Sequence, residues 1–241
     1  MNVILDPKLL GDPNLIAQRA KSLGHLAVHY RPGEGLLAAR FFEVLGCPIK
    51  EYGPFPDGNY FHIVALNGEA PDEPDNIIFL SAMQPQQAEL EKVVSEFLGL
   101  GTKTPHPAAQ AFEAQKVHMP EFFLHLGIHF SSLEDLEAAT VRLKDEIRKN
   151  PQFGRRSQGV QVLSAIPGRD DDIDARMASS KVFSEADLTA YGANIVQIHI
   201  RTDLVSLGLG FMGAVVELDY TFRGRGRDHN PFNSMEAAQV D

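Results

Sequence analysis

A five-residue segment that occurs twice is the feature that most constrains how this chain of 241 residues folds. His25–His29 reads HLAVH, and His125–His129 reads HLGIH one hundred positions later. A run with the apolar spacing of a helix follows each copy, at Glu34–Gly46 and at 131–150. Repeats of about 20 to 50 residues are typical of solenoids, so the longer period indicates two duplicated modules instead.

Three strand-like segments follow each of these two helices. Each half therefore has the order β-α-β-β-β, and the sequence predicts an α+β fold built from two tandem modules. The predicted strands are Pro48–Tyr52, Tyr60–Asn67 and Asn76–Met83 in the first half, and Val160–Ile166, Asn194–Arg201 and Ala214–Phe222 in the second.

The predicted helices carry start and stop signals. Gly46 is a stop signal for the first helix. Ser131 and Glu134 have the spacing of a capping box at the start of the second. Between the modules, Gln86–Leu98 has an amphipathic pattern. Its apolar positions are Leu90, Val93, Val94, Phe97 and Leu98.

The modules set the predicted domain divisions. An insertion at 167–192 in the second module holds the acidic run 170–174, and two interpretations stay open: a solvated loop, or a lid over a site. The divisions are an N-terminal extension at 1–21, a first module at 22–84, a helix and loop at 85–121, a second module at 122–222, and a polar C-terminal tail at 223–241.

Charge and composition exclude several classes of protein. Lys and Arg number 22 against 32 acidic residues, a net charge of −10, which is a poor match for nucleic acid or an anionic membrane. The single cysteine, Cys47, excludes internal disulfides and thiolate clusters. No segment approaches the ~18 apolar residues of a membrane span, and the N-terminal segment does not resemble a secretory signal. We therefore expect a soluble, cytoplasmic protein.

The repeated histidines lie at alternate positions, and alternate side chains of a strand share one face. The two histidines of each copy therefore flank a very small residue, Ala27 in the first copy and Gly127 in the second. Two interpretations stay open at this point. The histidines are either hydrogen-bonded structural residues or metal ligands that the pairing of the two modules brings together.

A carboxylate in the last strand bears on this choice. Glu217 lies among apolar residues in AVVELDY, where a glutamate is disfavoured unless it is paired or ligating. The structural alternative is an outward-facing glutamate on an edge strand. Alignment of VVEL with IIFL in the first module sets Phe79 at the equivalent position, so the first module has a phenyl ring there.

With these features the sequence resembles members of the vicinal oxygen chelate superfamily, which includes glyoxalase I and the extradiol dioxygenases. The segments HLAVHYRPGEGLLAARFFEVLG and HLGIHFSSLEDLEAATVRL resemble the opening strand and helix of that family, and AVVELDY resembles its closing strand. The resemblance covers most of 22–222. It implies an open, cup-shaped mixed sheet with the helices outside, and a divalent metal bound by first and last strands of the modules.

Carried over to this chain, the resemblance implies His25, His125 and Glu217 as the metal ligands. The glyoxalase branch uses a fourth protein ligand at the position of Phe79, which cannot ligate. Two histidines and one carboxylate make up the facial triad of non-haem Fe(II) oxygenases. The sequence therefore favours an enzyme, an Fe(II)-dependent extradiol-type dioxygenase that oxidises a small, catechol-like aromatic substrate.

Two alternatives to the dioxygenase stay open. One is a glyoxalase-like lyase or isomerase that uses Mn(II), Zn(II) or Ni(II), and the other is a metal-free small-molecule binding protein of the same fold. The segment SLGLGFMG before Glu217 lacks the tyrosine that extradiol enzymes often carry there, which is a departure from their pattern. Partners are expected to be a small-molecule substrate and neither nucleic acid nor membrane, while a homodimer stays open.

Further site residues are predicted around these ligands. His199 is a candidate proton acceptor, because a hairpin that turns near Gly208 would set it opposite Glu217. His62 is the other candidate, and for each the structural alternative is a buried, hydrogen-bonded histidine. The predicted pocket residues are Gln197, Phe79, Phe61 and Tyr220, with Phe211 and Met212 as further apolar candidates.

Overall fold

Two mixed sheets, of four and five strands, organise the computed structural model of the chain. Neither sheet closes into a barrel, and six helices accompany them within the described residues, which confirms the predicted α+β class. The predicted N-terminal extension and C-terminal tail, with Phe211 and Met212, lie outside the described residues. The structure describes residues 23–66, 75–120, 123–157, 159–208 and 213–222.

The first module is a four-stranded sheet with a helix on one face. Its elements are β1 (His25–Tyr30), α1 (Gly35–Leu45), β2 (Ile49–Tyr52), β3 (Phe61–Ala65) and β4 (Ile77–Ala82). The strand order is β1-β4-β3-β2, with β1 parallel to β4 and the other pairs antiparallel. Val28 and Tyr30 are buried while His25 is exposed, which is the alternation expected of a strand covered on one side. Gly46 ends α1 with a left-handed φ of 92°, as predicted.

The second module repeats this order and adds an insertion. Two helices connect the modules, α2 (Pro85–Phe97) and α3 (Pro107–His118). The module itself consists of β5 (His125–His129), α4 (Leu133–Lys149), α5 (Pro151–Arg156), β6 (Val160–Ser164), α6 (Asp171–Ser179), β7 (Leu188–Thr189), β8 (Ile195–Thr202) and β9 (Ala214–Thr221). The sheet order is β5-β9-β8-β6-β7, with β5 parallel to β9.

The registers of the two sheets are equivalent. Ala27 of β1 faces Phe79 of β4, and Gly127 of β5 faces Glu217 of β9. The small residue at the centre of the repeated pentapeptide therefore has the same partner position in both modules. This confirms the alignment that sets Phe79 and Glu217 at equivalent positions.

The modules are joined at their strands and through their helices. His29 of β1 and Ser206 exchange two backbone hydrogen bonds, of 3.1 and 2.8 Å, which link the first sheet to the segment after β8. On the helical side, the rings of Phe41 and Phe153 stack with their centroids 6.2 Å apart. Arg142 Nε donates to the Val44 carbonyl at 2.9 Å. A single hydrophobic core contains residues of both modules, so neither module buries its apolar face alone.

The start of α4 differs from the prediction by one residue. Ser132, in extended conformation with φ −137° and ψ 151°, is the cap, and the prediction of Ser131 with Glu134 is wrong. Ser132 Oγ accepts from the Asp135 backbone N–H at 3.1 Å. It also donates to Asp135 Oδ2 at 2.6 Å. Both serines precede an acidic residue by three positions, so spacing alone did not distinguish them.

The insertion is helical in part, since α6 covers nine of its residues, Asp171–Ser179. Asp170 caps α6 by accepting from the backbone N–H groups of Asp172 and Ile173, so the acidic run is a helix start. Ile173 belongs to the core, and Arg176 donates to Glu137 of α4 at 2.8 Å. The insertion therefore packs on α4 through both apolar and charged contacts.

The connecting helices depart from the sequence pattern in two ways. The apolar stripe of α2 is exposed, with Leu90 at 51%, Val93 at 52% and Phe97 at 81%. The segment after α2 was expected to be a loop, but it contains helix α3, in which Pro107 occupies the first turn, where its missing N–H is tolerated. Across the described ranges, no helix has both the length and the apolar character that crossing a bilayer requires.

Candidate functional site

Glu217 is the centre of the candidate site. It lies in the middle of β9, between β5 and β8, and is only 5% exposed. In register it faces Gly127 on one side and His199 on the other. The pairing with His199 confirms the predicted hairpin register, and Gly208 at the turn has a φ of 91°.

Three side chains surround this carboxylate. Gln197 Nε2 donates to Glu217 Oε1 at 2.7 Å. The other oxygen, Oε2, lies 3.1 Å from His125 Nε2 and 3.8 Å from His199 Nε2. Period-two alternation brings Gln197 and His199 to the same face of β8. Two imidazoles and an amide therefore converge on one buried carboxylate.

The hydrogen bond of His125 defines which of its ring nitrogens faces the site. Its Nδ1 lies 2.7 Å from the backbone carbonyl of Phe123. A carbonyl only accepts, so Nδ1 carries a proton and Nε2 is the ring nitrogen that faces Glu217. The 3.1 Å between Nε2 and Glu217 Oε2 suits either a proton on Nε2, which makes a hydrogen bond, or a cation that both atoms bind. A histidine whose Nδ1–H is held by a backbone carbonyl is also the usual arrangement for ligation through Nε2.

Burial and charge act in opposite directions on the two ionisable groups. Burial raises the pKa of Glu217, but hydrogen bonds from His125 and Gln197 and the nearby charges of His199 and His125 outweigh it, so the pKa is lowered overall. Burial lowers the pKa of His199 to about 4, against the opposing effect of Glu217. At neutral pH the site therefore holds an ionised carboxylate beside a neutral His199.

Helix α3 covers part of this face of the second sheet. Gln161 of β6 pairs with His199 in register, and its Nε2 donates to the Val117 carbonyl of α3 at 3.2 Å. The side chains of Gln197, His199 and Glu217 are all buried. Polar groups so placed interact more strongly than they would in water.

The third predicted ligand, His25, lies in the other sheet. Its ring stacks on Phe79 with the centroids 4.4 Å apart. Among the described side chains, no group of three or more His, Cys, Asp or Glu residues could hold a metal ion. The structure thus brings His125 and Glu217 together and does not bring His25 to them, so ligation by His25 stays a prediction.

The donor set only partly fits a metal. Imidazole nitrogen and carboxylate oxygen are ligands of ferrous sites. The 3.1 Å between His125 Nε2 and Glu217 Oε2 matches two neighbouring ligands on one ion at bond lengths of about 2.1 Å. His125 and Glu217 are therefore placed to supply two ligands of a metal site, and no described side chain joins them as a third.

The other predicted residues fall on different faces. His62 lies under α1 on the buried face of β3, where its Nε2 contacts Glu51 Oε2 at 3.2 Å, as its structural alternative describes. Phe61 and Phe79 contact one another on the face that carries His25, with centroids 5.4 Å apart. Tyr220 packs against the core beside Phe222, on the face of β9 opposite Glu217. A catalytic role for His62 and a pocket role for Tyr220 stay predictions.

Two functional features were missed in the sequence. His129 Nδ1 contacts Asp219 Oδ1 at 2.5 Å, a second contact between a histidine of β5 and a carboxylate of β9. The sequence did carry a signal for this contact, because Asp219 is two residues after Glu217 and shares its face of the strand. The carbonyl of Phe123, which orients His125, carries no signal in the sequence because any residue supplies a backbone carbonyl.

Comparisons with known proteins assign no family. No family model and no curated protein matches the chain. One solved structure, named as a xylose isomerase-like TIM barrel/4-hydroxyphenylpyruvate dioxygenase fusion protein, is similar at 12% identity with a TM-score of 0.20. The match covers 90% of this chain and 28% of that protein. The function is therefore argued from the site itself.

Proposed function

We propose that the protein is a metal-dependent enzyme resembling the Fe(II) extradiol-type dioxygenases, which acts on a small aromatic substrate. In this proposal His125 and Glu217 are two of the ligands and His25 is the third. The observation that carries it is the contact between His125 Nε2 and Glu217 Oε2 at 3.1 Å, with His125 Nδ1 committed to a backbone carbonyl.

The environment of the pair supports ligation over a purely structural role. A buried carboxylate is destabilising unless it is compensated, and Gln197 donates to one of the two oxygens of Glu217. The second oxygen is directed between two imidazole nitrogens. A divalent cation at that position would compensate the carboxylate and replace the proton through which His125 Nε2 otherwise contacts it.

Each side chain has a defined task in this proposal. Gln197 holds Glu217 in orientation, and the Phe123 carbonyl holds the tautomer of His125. His199 faces Glu217 and is the candidate acceptor for a proton from a substrate hydroxyl. The stacked rings of His25 and Phe79, with Phe61, offer an apolar wall for an aromatic ligand. When bound, Fe(II) would lower the pKa of a chelating hydroxyl and hold the reactants close together.

Metal content and oxygen uptake test the proposal. The full-length protein is reconstituted anaerobically with Fe(II), and the bound iron is measured after desalting. Oxygen consumption is then followed with catechol as substrate. We expect close to one iron per chain, and uptake that requires both iron and catechol. Oxygen uptake that is absent across a wide panel of catechols would contradict the dioxygenase activity.

Matched histidine variants separate ligation from general destabilisation. His125→Ala and Glu217→Ala are expected to lose bound iron. His129→Ala, four residues from His125 on the same face of β5, is expected to keep it. His25→Ala tests the third ligand against His29→Ala in the same way. Unchanged iron in His125→Ala would point to a metal-free binding protein. Retention of Mn(II), Zn(II) or Ni(II) without oxygen uptake would favour the lyase or isomerase.

A further inference from the structure

A second polar site lies at the end of the sheet beyond His199. A cavity of about 260 Å³ opens between α3, the first residues of β9 and the segment that follows β1. Leu100 and Ala214 contribute apolar surface to its wall. The charged residues that line it are Arg31, Arg156, Arg201, Lys116, Glu113 and Asp203.

Most of these charges neutralise one another. Asp203 pairs with Arg156 and, at 3.1 Å, with Arg31. Arg156 also pairs with Glu34 at 2.5 Å. The charges of Arg31 and Arg156 are therefore balanced by Asp203 and Glu34.

Of the three remaining charged residues of the cavity, two pair with each other. Lys116 Nζ contacts Glu113 at 2.6 Å, which balances that pair. Arg201 is the cation left over, because it forms no ion pair with any carboxylate that the structure describes, and its Nε is shielded from solvent without a hydrogen-bond partner there. A buried N–H group without an acceptor is destabilising unless a ligand supplies one.

The backbone makes a specific place for this guanidinium. Arg201 donates its backbone N–H to the Gly159 carbonyl at 3.1 Å. Gly159 has a φ of +86°, and a Cβ added there would lie 2.3 Å from Arg201 Nη2. Gly159 is thus required for its conformation, and the guanidinium occupies the space that a Cβ would otherwise fill. The position of Arg201 is built into the β6–β8 pair.

We propose that this cavity is an oxyanion-binding site in which Arg201 binds the carboxylate or phosphate group of a small molecule. A planar guanidinium is suited to bidentate binding of such groups. Arg201 is two residues from His199 on the same face of β8, about 7 Å along the strand. The two sites are therefore neighbours on one face of β8. If the proposed function holds, the catechol-like substrate also carries a carboxylate or phosphate group.

Ligand binding to the metal-free protein tests this proposal separately from the first. The full chain is titrated calorimetrically in the presence of a chelator with benzoate, with its neutral analogue benzamide and with inorganic phosphate. We expect benzoate or phosphate to bind at least about tenfold more tightly than benzamide, because only these carry the charge that Arg201 pairs with. Tighter binding of benzoate assigns the site to carboxylates, and tighter binding of phosphate assigns it to phosphoryl groups.

A variant pair identifies Arg201 as the binding group. Arg201→Gln should weaken oxyanion binding at least about tenfold, while Arg148→Gln, on the exposed face of α4, should leave it unchanged. Without ligand, the Tm of Arg201→Gln should equal or exceed that of the wild type, because an uncompensated charge is removed. The proposal would be overturned if neither benzoate nor phosphate binds the wild type more tightly than benzamide does, or if Arg201→Gln binds the preferred oxyanion as tightly as the wild type. A metal-free protein that binds oxyanions but later takes up no iron would refute only the metal site.

Discussion

Glu217 of β9 faces Gly127 of β5 across a parallel strand pair, so the one buried carboxylate of this face meets a residue without a side chain. The equivalent pair in the first module is Phe79 and Ala27. The duplicated modules thus keep a small residue at the centre of the first strand and differ at its partner. In the second module this arrangement leaves His125 beside the carboxylate, at 3.1 Å.

The open space beside Gly127 predicts that this position tolerates a Cβ. A Cβ added there would meet no atom within 4 Å, and its backbone is not left-handed. Gly127→Ala is therefore expected to keep or raise the free energy of unfolding by about 0.5 kcal/mol, because the unfolded chain loses freedom. Gly159→Ala is the matched control and should lower it by about 1–3 kcal/mol, since both its φ and the Arg201 guanidinium oppose a Cβ. Urea unfolding checks both values, and a loss in Gly127→Ala as large as that in Gly159→Ala would contradict the geometry.

The cap of α4 gives a test between adjacent serines. Ser132→Ala removes the oxygen that accepts from the Asp135 N–H and should lower the free energy of unfolding by about 1 kcal/mol. Ser131→Ala should change it by less than about 0.5 kcal/mol, because Ser132 supplies the cap. Chemical denaturation measures the free energy of unfolding of both variants. A larger loss in Ser131→Ala than in Ser132→Ala would mean that Ser131 is the cap, as the sequence pattern predicted.

The shared core predicts that the two modules unfold together. Phe41 is fully buried and stacks on Phe153 of the other module, so Phe41→Ala should lower the free energy of unfolding by about 3–5 kcal/mol. Phe97→Ala, at a ring that is 81% exposed on α2, should change it by less than about 0.5 kcal/mol. Calorimetry should show one transition for the wild type. Two separate transitions, with only one moved by Phe41→Ala, would mean that the modules are independent.

The surroundings of Cys47 predict that the reactivity of its thiol depends on pH. Burial raises the pKa of its thiol to about 11, with a smaller opposing effect of Arg142. The reactive thiolate is therefore scarce at pH 8 and increases as the pH rises towards 11. Alkylation by iodoacetamide at pH 8 should be about a hundredfold slower than for a free cysteine, and should become fast in urea. Rapid alkylation of the folded protein at pH 8 would show that the thiol is not buried in this way.

The elements that sequence patterns predicted best are those whose spacing is local. Alternation in HLAVH and HLGIH and the spacing of the apolar residues in α1 and α4 follow from the period of one strand or one helix. The partner of His199 was also predictable, because a hairpin relates its two strands by the position of the turn at Gly208. The start of α4 was not, since two adjacent serines compete for the cap, and neither was the helix at Pro107–His118.

The duplication, the order of helix and strands along each module and the equivalence of Phe79 with Glu217 were determined by the sequence alone, because each depends on a repeat or on a period that is visible in the sequence. Only the tertiary structure decided that His125 contacts Glu217, that His25 lies against Phe79, and that Arg201 is without a carboxylate partner among the described residues. The physical reason is that such contacts depend on the distance between strands far apart in the chain and on backbone groups such as the Phe123 carbonyl. Every residue type provides these groups, so they leave no pattern in the sequence.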